Sequence, residues 1–458
     1  MTGLAFLILF AAVILGYVLN RKAALQIKSQ GARMHSLTGF HGLYSALLVA
    51  VPGFVVILGW LILQPVIVDR SVMAGLPDGV LDGLDKGAAS LVLAEIKSIA
   101  RGQVFGTPED WKLAAAETLA ARNAAASLAL VVLIAVMSLA IIFFARSRVS
   151  ADFRARHGVE KIVMGLMIFC STVAIFTTVG IVLSLLFESI KFFRMVPLNE
   201  FLFGLRWEPQ IAIRADQVAG QGAFGVVPVI LGSVVIMMIA LVVAVPIGLF
   251  SAIYLNEFAS PRARNIIKPT LEVLAGVPTI VYGFFAILVV APFLRGAGAS
   301  MGLEISPNTA LAAGICMAIM LIPFISSFAD DALSAVPRAL SDGSLALGAT
   351  RGETMQKILF PAAVPGIVGG ILLAVSRAIG ETMIVVMAAG IIASLTLNPL
   401  DSVTTVTVQI VTLLIGDTEF DNPKTLAAFA LGSLLFLITL CINILALRIV
   451  RKYREQYD

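Results

Sequence analysis

Histidine and cysteine are nearly absent from this chain, three of each in 458 residues, and charged residues make up only 13%. His35, His41 and His157 stand apart from any set of nucleophile, base and acid, so no catalytic residue is expected. Cys170, Cys316 and Cys441 fall inside apolar runs at unrelated spacings, which indicates neither a disulfide framework nor a zinc site. They are expected to act as small packing residues, and no metal site is expected. The phosphate-cradling pattern G-x-x-x-x-G-K-[ST] occurs nowhere, so any ATP chemistry linked to this chain belongs to another subunit. Nor is there a basic stripe with interleaved aromatics, and the net charge of +4 is no nucleic-acid footprint.

What the chain has in abundance is apolar length. Hydrophobic residues make up 59% of the sequence, and the 13% charged is far below the roughly 25% of an average soluble domain. Runs long enough to cross a hydrocarbon core, which takes about 20 helical residues, occur near 3–19, 43–63, 124–145, 162–187, 226–254, 272–294, 308–328, 363–395 and 426–447. Short alternating segments of the outer-membrane barrel kind are lacking. The spans must therefore satisfy their own backbone hydrogen bonds as helices, which predicts an all-α polytopic membrane protein of about nine transmembrane helices.

Lysine and arginine sort these spans by side. Arg21, Lys22, Lys28 and Arg33 follow the first run; Arg146, Arg148, Arg154, Arg156 and Lys161 the third; Arg262, Arg264 and Lys268 the fifth; Arg338, Arg351 and Lys357 the seventh; and Arg448, Arg451, Lys452 and Arg454 end the chain. The alternate loops are acidic, with Asp69, Asp78, Asp82, Asp85, Glu95, Glu109, Asp110 and Glu117 in one and Asp401, Asp417, Glu419 and Asp421 in another. This pattern places the amino end outside and the carboxyl end in the cytoplasm. The first run has no basic residue before it and Arg21-Lys22 after it, the reverse of a cleavable signal peptide, so it is expected to remain as an anchor.

Between the seventh and eighth runs lies DGSLALGATRGETMQKILFP, Asp342 to Pro361, a short charged helix and loop. Leu345, Ala346, Leu347 and Ala349 offer an apolar face, and Gly348 allows a sharp exit. The segment resembles the EAA loop by which permeases of ABC importers engage their ATPase. Gly348, Ile358 and Pro361 fall on its register, Asp342-Gly343-Ser344 stands for Glu-Ala-Ala, and Phe360 replaces a leucine. Further stretches carry the likeness: Phe224-Gly225-Val226-Val227-Pro228, Ala244-Val245-Pro246-Ile247-Gly248, Tyr254-Leu255-Asn256-Glu257-Phe258, Leu274 to Gly283, and Ser376-Arg377-Ala378-Ile379-Gly380-Glu381-Thr382-Met383. Together they resemble the permease subunits of phosphate-specific ABC importers, the PstC type most closely, over about residues 160–458.

The resemblance implies a type I importer core of six helices at 161–458, with the coupling loop at 331–361. Residues 1–160 form an extension of three helices with an extracytoplasmic loop near 64–123. It also implies a bacterial inner-membrane location and several partners. These are a related PstA-type permease, a PstB-type ATPase dimer holding ATP and Mg, and a PstS-type extracytoplasmic phosphate-binding protein docking on the loops 188–224 and 396–425. In the coupling role it points to Asp342, Ser344, Leu345, Leu347, Gly348, Ile358 and Pro361, with Arg351, Glu353 and Lys357 at the rim. The short helix near Ser341 to Gly348 is the part expected to dock.

Two ionisable residues in the apolar run 363–395 matter most. Arg377 and Glu381 are spaced to share one helical face, and charges at membrane depth normally face a cavity or a partner. Guanidinium is a planar donor fork suited to a tetrahedral oxyanion, and Glu381 is placed to hold that fork when no anion is present. Two readings stay open: a substrate-pathway pair, or a packing pair that never meets substrate. Gly276, Pro278 and Gly283 are expected to break a span, either lining the pathway or only kinking it. Glu272 is expected to pair locally with Lys268. The expected function is the permease of an ATP-driven phosphate importer working by alternating access. The alternatives are an ion-coupled secondary anion transporter without an ATPase, and a sensor that moves no solute.

Overall fold

The computed structural model describes residues 2–77, 80, 86–103, 108–209, 222–415 and 422–454. Among them the fold is all-α apart from one small strand pair, and nine helical stretches are long and apolar enough to cross a membrane. Asp78, Asp82, Asp85, Asp417, Glu419 and Asp421, and residues 210–221 of an expected docking loop, lie outside the described residues. The chain divides into two compact units, Met1–Phe176 and Thr177–Asp458.

The first unit contains helices α1 (Thr2–Ser29), α2 (Thr38–Met73), α3 (Lys86–Ala100) and α4 (Asp110–Ser147), and α5 (Ala155–Met195) begins in it. Lipid tails are as apolar as leucine, so helices in a membrane associate through close packing at small residues. Here a Cβ on Gly16 would stand 2.9 Å from Ser45 Oγ, and one on Gly42 would stand 2.8 Å from the Tyr17 ring. Leu9, Val49, Ile57, Leu130 and Ile134 fill the seam of α1, α2 and α4. Beyond it, Ile96 of α3 packs with Val68, Val72, Ala116 and Leu119, and Lys97 pairs with Asp69 at 2.6 Å. The Ala-rich stretch from Leu113 to Ala129 belongs to α4, which runs unbroken into the span.

The second unit continues with α6 (Leu198–Phe203), strands β1 (Trp207–Glu208) and β2 (Ala223–Phe224), and α7 (Val227–Ile253), which ends in a π-helical turn, Tyr254–Phe258. Then come α8 (Pro261–Ala275), α9 (Thr279–Phe285), a second π turn (Ala286–Val290), α10 (Ala291–Ser300), α11 (Ala310–Ser334), α12 (Arg338–Ala346) and α13 (Arg351–Thr354). A third π turn (Met355–Leu359) leads into α14 (Phe360–Ile379), followed by α15 (Met383–Ala388), α16 (Val406–Leu414) and α17 (Pro423–Arg454).

Helix α11 is the axis of this unit: 61% of its most apolar window is buried, against at most 33% in any other span. Its Ala313, Met317, Leu321 and Ile325 meet Ile236, Ala240 and Ala244 of α7 and Ile384, Val385 and Ala388 of α15. Gly314 makes the α7 contact possible, because a Cβ there would lie 2.5 Å from Ile239 Cγ2 and 2.7 Å from its Cβ. Gly314→Val is expected to cost about 1–3 kcal/mol through overpacking, seen as a lower unfolding midpoint in detergent. Gly165→Val, where nothing lies within 4 Å, should leave that midpoint unchanged. A second core joins Phe192, Phe201, Trp207 and Phe224 edge to face, with the Trp207 indole donating to Gln409 Oε1 at 2.8 Å.

Three sequence-based expectations are corrected here. The span placed at 272–294 begins later, at Thr279: Pro278 has no N–H to continue α8 and Gly276 ends it, so this break lies before the membrane helix and not within it. The run 363–395 is not one helix, since α14 stops at Ile379 and α15 starts at Met383. Only Cys316 is a core packing residue; Cys170 and Cys441 are exposed on their helices, as residues facing lipid can be.

Candidate functional site

The segment Asp342 to Pro361 folds as α12, a reversal, α13 and the start of α14. Helix α12 begins at Arg338, earlier than expected, because Pro337 supplies its start. It closes on Gly348, whose φ of +89° is a left-handed conformation open to glycine. The Ala349 amide donates to the Ser344 carbonyl at 3.2 Å and the Gly348 amide to the Leu345 carbonyl at 3.0 Å, the paired bonds of a Schellman termination. Ser344 is buried and its hydroxyl is 2.9 Å from that of Thr354, fastening α12 to α13. Thr350 and Glu353 form a capping box that starts α13. Glu353 is therefore a cap, and Lys357 lies 3.6 Å from it.

That rigid turn leaves an apolar tip uncovered. Leu347 is 91% exposed and Leu345 is 41% exposed, and Asp342 is exposed on the same helix. Ile358 is half-buried inside the third π turn, and Pro361 follows that turn as the second residue of α14. Leu347 is thus an exposed leucine on a capped, hydrogen-bonded turn, which little further ordering would be needed to bury.

Arg377 and Glu381 do not share a helical face, contrary to the sequence expectation. Spacing four apart brings side chains together only in an unbroken helix, and α14 ends between them at Gly380. Glu381 Oε1 instead accepts from the amides of Met383 (3.1 Å) and Ile384 (3.4 Å), capping α15, while the Thr407 hydroxyl donates to the Glu381 carbonyl at 2.8 Å. Glu381 thus cannot hold the guanidinium in this conformation. Arg377 is exposed and makes no ion pair among the described residues; its guanidinium lies over the Phe324 ring at 5.4 Å. Phe324 in turn meets Phe328 in a tilted contact with centroids 4.7 Å apart, so the cation rests on an aromatic ledge along α11. Cation–π contact satisfies one face of a guanidinium and leaves its edge N–H donors free.

Gly276 and Pro278 separate α8 from α9, and Tyr282 bridges the break by donating to the Leu274 carbonyl at 2.7 Å. Gly283 lies within α9 without breaking it. A Cβ there would come 2.9 Å from Met387 Sδ and 3.1 Å from the Met383 carbonyl, so glycine lets α9 lie against α15 beside Glu381.

One cluster was not anticipated. Lys268 pairs not with Glu272 but with Asp330, at 2.6 Å, and Arg264 reaches the same carboxylate at 3.1 Å. Asn256 Nδ2 donates to Asp330 Oδ1 at 2.9 Å and to Ser334 Oγ at 2.9 Å. The Asp330 side chain is only 5% exposed. The signal available in the sequence was Asp330-Asp331 at the end of an apolar run facing Arg264 and Lys268, spaced one turn apart; what was missing was their proximity across chain distance.

Residues 244–455, which include α12, Arg377 and Asp330, match the family described as binding-protein-dependent transport system inner membrane component. Residues 6–177 match one described as phosphate ATP-binding cassette transporter. The chain is 32% identical over 285 residues to the probable ABC transporter permease protein YqgH of Bacillus subtilis, covering 61% of this chain and 88% of that protein. It is 33% identical over 241 residues to the phosphate transport system permease protein PstC of Mesorhizobium japonicum, covering 49% of this chain and 72% of that one. Among solved structures, a bacterial alginate ABC transporter in complex with an alginate-bound periplasmic protein is similar at 15% identity and a TM-score of 0.44, covering 65% of this chain and 96% of that one.

Proposed function

This chain belongs to the PstC-type family of binding-protein-dependent ABC permeases, and from that premise we propose that it is the permease subunit of an ATP-driven importer of inorganic phosphate. It is a multi-pass protein of the inner membrane, and its partners include an ATPase and a binding protein. The finer assignments are a PstA-type second permease, a PstB-type ATPase dimer that holds ATP and Mg, and a PstS-type phosphate-binding protein outside. Residues 161–458 act as the permease domain and residues 1–160 as a membrane extension to it. The amino end lies outside and the carboxyl end in the cytoplasm, as the sorting of lysine and arginine supports.

The single observation that carries the transport role is Arg377: an exposed guanidinium in an apolar span, with an aromatic rest but no carboxylate partner among the described residues. An isolated ion at membrane depth costs about 2.5–3.5 kcal/mol on insertion scales, a cost that function would justify. Its free donor edge suits phosphate oxygens. Glu381 acts through the backbone, fixing the α14–α15 turn that presents Arg377. On the cytoplasmic side, Leu347 and Leu345 enter a groove on the ATPase, and Ser344, Gly348, Ile358 and Pro361 hold the turn that presents them. Closure of the ATPase on ATP moves α12, and the pathway alternates between faces.

Reconstitution tests this. Proteoliposomes containing the chain with its permease, ATPase and binding-protein partners should accumulate labelled phosphate only with ATP present. Uptake by this chain alone, without any ATPase, would instead make it a secondary anion transporter and overturn the assignment.

A further inference from the structure

We propose that Asp330 is a positioning residue of the transport cycle, a clasp that carries motion of α12 to the segment holding Glu381 and Arg377. The proposal rests on the reading of α12 as the ATPase-facing helix. One carboxylate gathers three segments: Arg264 and Lys268 from α8, and Asn256 from the π turn that ends α7, with Asp330 itself on α11. Removing one partner of a buried, hydrogen-bonded ion pair leaves an uncompensated charge, so such a cluster resists separation and moves as a body.

Its position gives that rigidity a direction. Ser334, which Asn256 also binds, is the last residue of α11, and only Ala335, Val336 and Pro337 intervene before α12. Two of these are fixed by the α11 end, since the Ala335 amide donates to Asp331 at 3.0 Å and the Val336 amide to Leu333 at 3.2 Å. A displacement of α12 therefore meets no slack before it reaches Asp330. On the far side, α8 leads to the Gly276–Pro278 break, where Tyr282 holds Leu274 and so ties α9 to α8. Helix α9 lies against Met383 at Gly283, and the Met383 amide is the one that Glu381 caps. Contacts thus run unbroken from α12 through Asp330, α8 and α9 to the turn beside Arg377. A cavity of about 240 Å³ lined by Lys268, Glu272, Ser326, Phe324 and Asp330 adjoins the clasp.

The test is the ratio of phosphate moved to ATP hydrolysed in proteoliposomes of the full complex. Asp330→Asn should assemble and keep binding-protein-stimulated ATPase activity within about threefold, yet lower the ratio by about tenfold, within the range of couplings measured along packed networks. Asp330→Glu, which keeps the carboxylate, should recover most of it. A purely structural role predicts that uptake and hydrolysis fall together with the amount of complex and that the ratio holds, which would overturn the proposal. A second variant removes dependence on folding: Lys268→Cys with Asp330→Cys, with Cys170 and Cys441 as serine, bridged by a short thiol-cleavable reagent. The bridged complex should couple and the same sample, once reduced, should not; equal ratios in both states would overturn the clasp. Absence of any phosphate uptake by the unaltered complex would instead strike the transport assignment itself.

Discussion

Arg377→Gln is expected to lower ATP-driven phosphate uptake by at least about a hundredfold, with the complex still assembled and its ATPase still active. A hydrogen bond to a charged group contributes about 1.5–3 kcal/mol, and a planar fork offers two at once, so its loss exceeds the roughly 2.8 kcal/mol that corresponds to a hundredfold. Arg377→Lys keeps the charge but not the fork and should fall between, near tenfold. Because Glu381 caps α15 through its side-chain oxygen and makes no bond to Arg377, Glu381→Gln retains an acceptor and should cost far less than Glu381→Ala. Labelled-phosphate uptake into proteoliposomes reads all four variants. Uptake by Arg377→Gln at the unaltered rate would leave the arginine a packing partner of Phe324 and nothing more.

Leu347→Asp is expected to weaken the association with the ATPase at least as strongly. The side chain is 91% exposed on a turn fixed by the Gly348 termination and the Ser344–Thr354 contact, so its burial is available to a partner in full. Burying a leucine contributes about 1.5–3 kcal/mol, and an unpaired carboxylate in the same groove adds a desolvation penalty of its own. Together these predict a loss of about a hundredfold in affinity, measurable as the concentration of ATPase needed to reconstitute stimulated hydrolysis. Leu345→Asp, at a side chain only 41% exposed, combines a smaller docking loss with local destabilisation of α12. Unchanged ATPase binding by Leu347→Asp would place the contact elsewhere on the chain.

The register of the turn between α12 and α13 was legible in the sequence because its determinants are local. A glycine needed at φ +89° acts within a few residues, and the structure places Gly348 in that role; the Thr350–Glu353 capping box is just as local, yet the sequence reading put Glu353 at the rim, where the structure makes it the cap of α13. The turn between α14 and α15 was less legible. Arg377 and Glu381 have the spacing of helical neighbours, but whether a helix continues through Gly380 depends on what surrounds it. Glycine at 380 disfavours a continuing helix, and in the structure Thr407 on α16 also binds the Glu381 carbonyl while Gly283 on α9 lies against Met383.

Hydropathy and charge sorting by themselves determined that this is an all-α membrane protein of about nine spans. A hydrocarbon core about 30 Å thick imposes span length, and the backbone must satisfy itself within each helix. Only the tertiary structure decided which charges meet. Lys268 had Glu272 one turn away and Asp330 in a distant span; it took Asp330, because packing α8 against α11 buried that carboxylate and a buried charge must find its partners wherever the fold brings them.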